Sequence, residues 1–230
     1  MAKSGKKYKK ARELVDANQL FASKDVFAKI KEVAFAKFDE SVDVDVNLGI
    51  DATKGDQVVR GSVVLPHGNG RSVKVAVFAK GDYAEQALKG GADYVGADDL
   101  IEKILSGWID FNYTVATPDM MGAVGKLAKI LGPKGLLPNK KLGTVTLDIA
   151  PVVAELKSGK TFFKNDKNGL VHFSIGKVSF DAQKLHDNFM AFVKVLATSK
   201  PSTSKGKFIR KISCSSTMGV GFPVNLDDVA

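Results

Sequence analysis

The hydrophobic pattern of the chain changes twice along its length. Between residues 42 and 50, apolar residues alternate with polar or small ones: Val42, Val44, Val46, Leu48 and Ile50. A period of two is typical of a strand with one buried and one solvated face, and one-sided burial favours an antiparallel sheet. A second strand is expected at about residues 57–65. The turn-forming residues 66–70 (PHGNG) then break the regular structure, and we predict a hinge at Pro66, His67 and Gly68.

A different pattern follows the predicted hinge. Apolar, strand-like segments at residues 73–78, 93–95 and 113–116 alternate with helical segments at residues 83–89 and 98–105. Short connections between such segments indicate a parallel sheet covered on both faces. Thr117 as the cap and Pro118 as the first helical residue predict one helix to about Ile130. A turn-rich basic loop at residues 132–141 ends this region.

The one-sided pattern then returns. Residues 162–163 and 170–173 flank the turn sequence of residues 165–169 and predict a hairpin, followed by a helix at residues 181–198 and a strand at residues 207–216. At the start of the chain we expect a basic arm and then a helix from about residue 24 to residue 36, capped by Ser23. We therefore predict an α/β protein of two domains. An α+β outer domain with an antiparallel-rich sheet would comprise residues 1–66 plus 157–230 and hold both termini, and an α/β domain of residues 67–156 would be inserted into it.

The positive charge is concentrated in three stretches. The chain has 34 Lys and Arg against 25 Asp and Glu, a net charge of +9. Three acid-free stretches hold the surplus: Lys3, Lys6, Lys7, Lys9, Lys10 and Arg12; Lys126, Lys129, Lys134, Lys140 and Lys141; Lys200, Lys205, Lys207, Arg210 and Lys211. Basic termini and loops that only aid solubility would explain one such stretch well, but three poorly. The distribution predicts an anionic partner.

Several other functions are disfavoured by the motifs. Residues 91–96 begin and end with Gly, but Ala97 and Asp98 follow where a phosphate-binding loop needs Lys and Ser or Thr. One Cys and three scattered His argue against a metal site and against a catalytic group, so we expect neither an enzyme nor a cofactor. No run of about 18 apolar residues and no apolar signal core occur, which favours a cytoplasmic protein without a membrane partner.

Residues 213–221 (SCSSTMGVG) combine hydroxyls with glycine directly after a basic stretch that includes Lys205 and Lys207. Short hydroxyl side chains and accessible amides suit the 2′-hydroxyls and phosphates of RNA. The alternative is a Ser- and Thr-rich edge strand that ends in an ordinary turn. Met218 favours the RNA interpretation, since a large apolar side chain in a polar turn is explained by contact with a partner. Phe38 stands beside Lys37 between a predicted helix and a predicted strand, and it too is a large apolar residue next to a charged one. The alternative is that Phe38 packs in the core, as most Phe residues do.

Five motifs, in order along essentially the whole chain, resemble signatures of the bacterial family of large-subunit ribosomal protein L-one. They are residues 37–40 (KFDE), 65–68 (LPHG), 117–121 (TPDMM), 132–139 (GPKGLLPN) and 216–219 (STMG). Residues 5–8 (GKKY) also resemble the basic arm of that family. The resemblance implies a two-domain fold whose outer domain holds both termini and whose inserted domain is Rossmann-like.

The same resemblance implies a function and a set of RNA-binding residues. Members of the family bind large-subunit rRNA in the mobile stalk beside the tRNA exit site, assist release of deacylated tRNA, and in many cases repress translation of their own mRNA. The resemblance implies rRNA contacts at Lys37, Phe38, Ser41, Ser213, Ser215, Thr217, Met218 and Gly219. To these we add Lys205 and Lys207, two residues of the basic stretch that precedes Ser213. Lys134, Lys140 and Lys141 would be accessory contacts, in a protein that is a monomer within the ribosome.

Two positions depart from the family pattern. Val220 stands where proline usually follows Met-Gly, and Lys140 stands where proline usually follows Asn139. Valine predicts a looser turn around Gly219, and Lys140 adds a cation. The sequence has two alternative interpretations. One is a free RNA-binding repressor or chaperone that is not stably on the ribosome, and the other is a small-molecule enzyme that uses the α/β domain.

Overall fold

The fold is described from a computed structural model for residues 5–15 and 19–228. Lys3 of the predicted basic arm lies outside these residues. The chain divides into two compact units: unit 1 contains the described residues up to Gly70 and from Thr161 onward, and unit 2 is Arg71–Lys160. The domain boundaries expected after residues 66 and 156 stay predictions.

The elements are numbered in chain order. The helices are α1 (Lys6–Glu13), α2 (Ser23–Val33), α3 (Asp82–Lys89), α4 (Asp98–Leu105), α5 (Met121–Val124), α6 (Ala128–Leu131), α7 (Ile149–Ser158) and α8 (Ala182–Thr198). The strands are β1 (Ser41–Leu48), β2 (Arg60–Val64), β3 (Val75–Phe78), β4 (Tyr94–Gly96), β5 (Tyr113–Ala116), β6 (Lys160–Lys164), β7 (Leu170–Lys177), β8 (Ile209–Ser216) and β9 (Phe222–Val224). Short 3₁₀ turns cover Gly55–Gln57, Pro118–Met120, Gly125–Leu127 and Lys140–Leu142.

Unit 1 is built on an antiparallel sheet with the strand order β7-β1-β8-β9. The alternation in β1 has the predicted effect: Val42, Val44 and Val46 are buried, while the residues between them lie on the opposite, partly solvated face. Helices α2 and α8 cover the buried face, where Phe27 and Phe189 meet edge to face. The prediction of an antiparallel sheet with one wet face is confirmed for this part of the chain.

The predicted hairpin at residues 162–173 is wrong. Strand β6 lies in a two-stranded sheet with β2, whereas β7 pairs with β1. Between the two segments there is a single antiparallel bridge, from Asn165 to Val171. Asn165 explains the separation, because its side chain accepts the Val59 N–H at 2.8 Å and its own N–H donates to the Val59 carbonyl at 3.0 Å. These bonds attach the end of β6 to the segment before β2.

Two predictions about the N-terminal region are also wrong. Ser23 does not cap α2: it is the first helical residue, buried, with its hydroxyl 3.4 Å from His186 Nε2. The helix ends at Val33, before the predicted residue 36. Within the predicted basic arm, residues 6–13 form α1, and Ala11 and Val15 pack in the core of unit 1. Their apolar spacing of four is a helical signal that the density of lysines obscures.

Unit 2 contains a parallel sheet with the order β4-β3-β5, as the strand and helix alternation predicts. Every residue of β3 is buried, since Ala76 and Phe78 pack with α4 and α5 while α3 and α7 also contact the sheet. The continuous helix predicted from residue 117 to Ile130 is wrong. This segment alternates between 3₁₀ turns and the one-turn helices α5 and α6, and Thr117 makes no capping hydrogen bond. Gly122 and Gly125 lower the helix propensity there.

No helix among the described residues combines the length and the apolar character that crossing a membrane requires.

Candidate nucleic-acid interface

Two segments that are far apart in sequence meet at one end of the unit 1 sheet. We call residues 35–41 together with residues 216–219 the corner. The Ser41 N–H donates to Thr217 Oγ1 at 2.9 Å, and the Thr217 N–H donates to the Ser41 carbonyl at 3.0 Å. These bonds continue the β1–β8 ladder one step beyond the pair Val42 and Ser216. The Thr217 hydroxyl, a predicted RNA contact, is therefore bonded to the backbone of Ser41, and it holds the two segments together.

The corner carries two large apolar side chains in solvent. Phe38 is 57% exposed and Met218 is 52% exposed. They belong to one local structure, because the carboxylate of Glu40, two residues after Phe38, accepts the Met218 N–H at 3.0 Å. The core-packing alternative for Phe38 is wrong. Lys37 is also exposed, so the corner combines a cation with apolar surface.

Ser213 and Ser215 lie on the partly solvated face of β8. They stand opposite Asp45 and Asp43 of β1 and alternate with the buried residues of β8. The edge-strand alternative is wrong for the first part of this segment, since β9 pairs with residues 212–214. The last two residues of β8 lie beyond the pairing with β9 and lead into the corner.

Lys177 lies next to the corner and bonds to it, and sequence reasoning missed this residue. It is the last residue of β7 and stands opposite Ser41. Its Nζ donates to Ser41 Oγ at 3.0 Å and to the Asp39 carbonyl at 3.4 Å. No motif marks this lysine, because only the register between β1 and β7 brings it to residue 41. The predicted contact Ser41 is thereby bonded to a cation.

Lys205 and Lys207 are exposed, but the structure does not bring them to the corner. They precede β8, whose first residue, Ile209, pairs with Leu48 at the far end of β1. Eight residues of strand at about 3.4 Å each separate the two ends by roughly 25 Å. A nucleic acid that touches both places has to run along the sheet.

The predicted accessory lysines lie in unit 2, and all three are exposed: Lys134, Lys140 and Lys141. Asn139 organises their loop. Its side chain accepts the Lys141 N–H at 2.8 Å and so caps the 3₁₀ turn of Lys140–Leu142, while its own N–H donates to Thr144 Oγ1 at 2.8 Å. Lys140 thus occupies the first position of a capped turn, where it presents its charge to solvent.

The turn around Gly219 has valine and not proline at position 220, and a backbone hydrogen bond closes it. The Gly219 N–H donates to the Ser216 carbonyl at 3.0 Å, and a side chain at residue 219 would collide with the Ser216 hydroxyl. Val220 points inward, is buried and packs in the core of unit 1. Glycine at residue 219 allows this close approach.

The predicted hinge residues Pro66, His67 and Gly68 are attached to helix α8. Buried Asn188 accepts the His67 N–H at 3.1 Å and donates to the carbonyls of Gly68 and Ile175, both at 2.8 Å. The His67 ring lies 3.2 Å from an Asp187 carboxylate oxygen. Rotation of the backbone at residues 66–68 would break these bonds. The hinge itself stays a prediction.

Replacing Asn188 with alanine is expected to destabilise unit 1 by about 1–3 kcal/mol, because buried amide and carbonyl groups lose their partner. The measurement is the urea midpoint of unfolding. The control is Gln183→Ala on the same helix, where an exposed side chain bonds to Asp187 at 3.1 Å and a change within about 0.5 kcal/mol is expected. Equal stability of the two variants would contradict the anchoring role of Asn188.

Residues 5–15 and 19–228 contain no cluster of three or more His, Cys, Asp or Glu side chains that could hold a metal ion. Burial raises the pKa of the Cys214 thiol, and the charge of Asp45 raises it further. The thiol is therefore protonated at neutral pH, which is unsuitable for a nucleophile.

Comparison with known proteins gives a consistent result. The sequence profile of the Ribosomal protein L1p/L10e family matches residues 30–220, which include both segments of the corner. The chain is 53% identical over 225 residues to a protein of Nitrosomonas europaea named large ribosomal subunit protein uL1, and the match covers 98% of each chain. The chain therefore belongs to the Ribosomal protein L1p/L10e family.

Proposed function

We propose that the chain is a structural component of the large ribosomal subunit and binds rRNA through the corner. The observation that carries the proposal is the exposure of Phe38 and Met218 on two segments joined by hydrogen bonds. Family membership supports the ribosomal assignment, since the relative from Nitrosomonas europaea is named as a large-subunit protein.

The mode of binding follows from the chemistry of the corner. Phe38 and Met218 offer apolar surfaces on which sugars or unstacked bases can pack, and their backbones are already held in place. Lys37 adds a cation for phosphate. Because few groups there can read base edges, we infer recognition mainly by the shape and backbone of a folded RNA.

Two further basic surfaces would strengthen the complex. Helix α1 presents exposed Lys6, Lys7, Lys9 and Lys10, and a surface groove that Lys7 and Lys10 line also reaches Phe35 of the corner. The lysine loop of unit 2 is the second surface. We infer that these lysines attract the polyanion over a longer range than the corner does.

We extend the proposal, on the family resemblance, to the mobile stalk near the tRNA exit site. There the protein would follow the movement of its rRNA arm and assist release of deacylated tRNA, and it would repress translation of its own mRNA through a similar RNA structure. These roles need one RNA-binding surface and no reaction catalysed by the chain.

Sedimentation of a cell lysate through a sucrose gradient at moderate salt tests the proposal. The chain is expected to travel with large subunits, because it binds folded rRNA by both contact and charge, and immunodetection across the fractions measures this. A second protein of known large-subunit location serves as the control. Presence only at the top of the gradient would instead support the free repressor or chaperone.

A further inference from the structure

A buried carboxylate lies at the centre of the corner. Glu40 is only 1% exposed. Its Oε1 accepts the Ala36 N–H at 2.9 Å and its Oε2 accepts the Met218 N–H at 3.0 Å. The Ser216 hydroxyl and the Phe35 N–H are close enough to lower the pKa of this carboxylate as well. These donors are neutral groups, and they come from both segments of the corner.

This arrangement gives Glu40 two connections. Its side chain joins Ala36 to Met218, and Glu40 and Met218 are 178 positions apart in sequence. Its backbone carbonyl accepts the Val178 N–H at 2.9 Å, which fixes the start of β1 to the end of β7. Phe38 lies between the bonded residues Ala36 and Glu40, so its backbone is held on both sides.

We propose that Glu40 is a positioning residue that preorganises Phe38 and Met218 for RNA. The inference rests on the proposed function and deepens it. Glu40 has no surface to offer a ligand, so it acts through the residues that it holds. A corner already ordered before binding loses less conformational entropy when the complex forms.

The ionised carboxylate suits this position better than any neutral side chain. Burial by itself raises the pKa of Glu40, but the hydrogen bonds from the Ser216 hydroxyl and from the amides of Met218, Ala36 and Phe35 outweigh it, and the pKa lies below its ordinary value. The group is therefore charged at neutral pH and acts only as an acceptor. A glutamine would place an NH₂ group against one of the N–H donors.

The test compares Glu40→Gln with Asp181→Asn in binding to large-subunit rRNA. Each substitution removes one negative charge, but the Asp181 side chain is 76% exposed, lies outside the corner and has its carboxylate 3.8 Å from Lys184 Nζ. Loss of an acidic charge does not weaken binding to a polyanion, so electrostatics alone predicts equal or higher affinity for both variants. Positioning predicts that Glu40→Gln weakens binding, on the order of tenfold to a hundredfold, while Asp181→Asn does not.

Two further measurements distinguish loss of the positioning role of Glu40 from general destabilisation of unit 1. In the RNA-free protein, hydrogen exchange at the amides of Met218 and Ala36 is expected to accelerate in Glu40→Gln, with exchange in β1 and α8 unchanged. The salt dependence of affinity is expected to keep its slope, since no lysine is removed. Accelerated exchange throughout the core of unit 1 would assign the loss to unfolding and overturn the inference, as would unchanged or increased affinity.

Ser216→Ala serves as a milder variant if Glu40→Gln does not fold, since it removes a hydroxyl that helps to keep the Glu40 carboxylate ionised. A severalfold loss of affinity with faster exchange at Met218 supports the inference, and unchanged values for both overturn it. Failure of the wild-type chain to bind rRNA would refute the proposed function. The exchange rate at Met218 would still report whether Glu40 orders the corner.

Discussion

Replacing Phe38 and Met218 together with alanine is expected to weaken binding to large-subunit rRNA by roughly 2–4 kcal/mol. Both side chains are more than half exposed in the free chain, so their contact surface is available to a partner. Stacking of a base or sugar on such a surface contributes about 1–3 kcal/mol for each side chain. The measurement is a titration of labelled rRNA fragment with each variant at constant salt.

The matched control removes exposed apolar side chains elsewhere in unit 1. Leu20 is 63% exposed and Val64 is 47% exposed, fractions similar to those of the corner residues. The pair Leu20→Ala and Val64→Ala is expected to leave affinity within a factor of about two, because surface contacts outside an interface contribute little. Equal affinity of the corner variant and the wild type would show that RNA does not bind at the corner.

Replacing Phe192 with alanine is expected to destabilise unit 1 by about 3–5 kcal/mol. Phe192 on α8 is fully buried, stacks on Phe173 of β7 at 4.2 Å between ring centroids, and meets Phe163 of β6 edge to face at 5.7 Å. It therefore joins the helix to both sheets of the unit. The loss should appear in urea unfolding as a lower midpoint with an unchanged slope.

Phe38→Ala is the control for this experiment, since it removes the same side chain from an exposed position. Its stability is expected to match the wild type within about 0.5 kcal/mol. The two substitutions are thus expected to have opposite effects. Phe38→Ala weakens RNA binding and leaves the free energy of unfolding unchanged, whereas Phe192→Ala lowers the free energy of unfolding. A stability loss below about 1 kcal/mol for Phe192→Ala would contradict its role in the core.

Local sequence patterns correctly predicted those helices and strands whose local preference agrees with their contacts in the fold. Helix α4 and strand β5 begin and end at the predicted residues, and β1 alternates as expected. Patterns failed where long-range contacts override local preference. Residues 165–169 contain good turn residues, yet Asn165 bonds to Val59 and sends the strands before and after the turn into different sheets.

The candidate site shows the same limit. Met218 and Phe38 could be singled out from the sequence because large apolar residues are unexpected among polar ones. Glu40 and Lys177 could not, since an acidic residue and a lysine in ordinary surroundings carry no local signal. Lys205 and Lys207 could be predicted as RNA contacts from charge alone, but the structure places them before the other end of β8.

From the sequence alone one could predict the alternation of buried and solvated residues in β1, the alternating strands and helices between residues 73 and 116, the basic stretches and the family motifs. These features depend on residues a few positions apart, which periodicity and composition can detect. Only the folded chain shows that residues 35–41 meet residues 216–219, that Glu40 bonds to both, and that the Thr217 hydroxyl bonds to Ser41. The register of β1 against β8 sets those contacts, and register results from the packing of the whole unit 1 core.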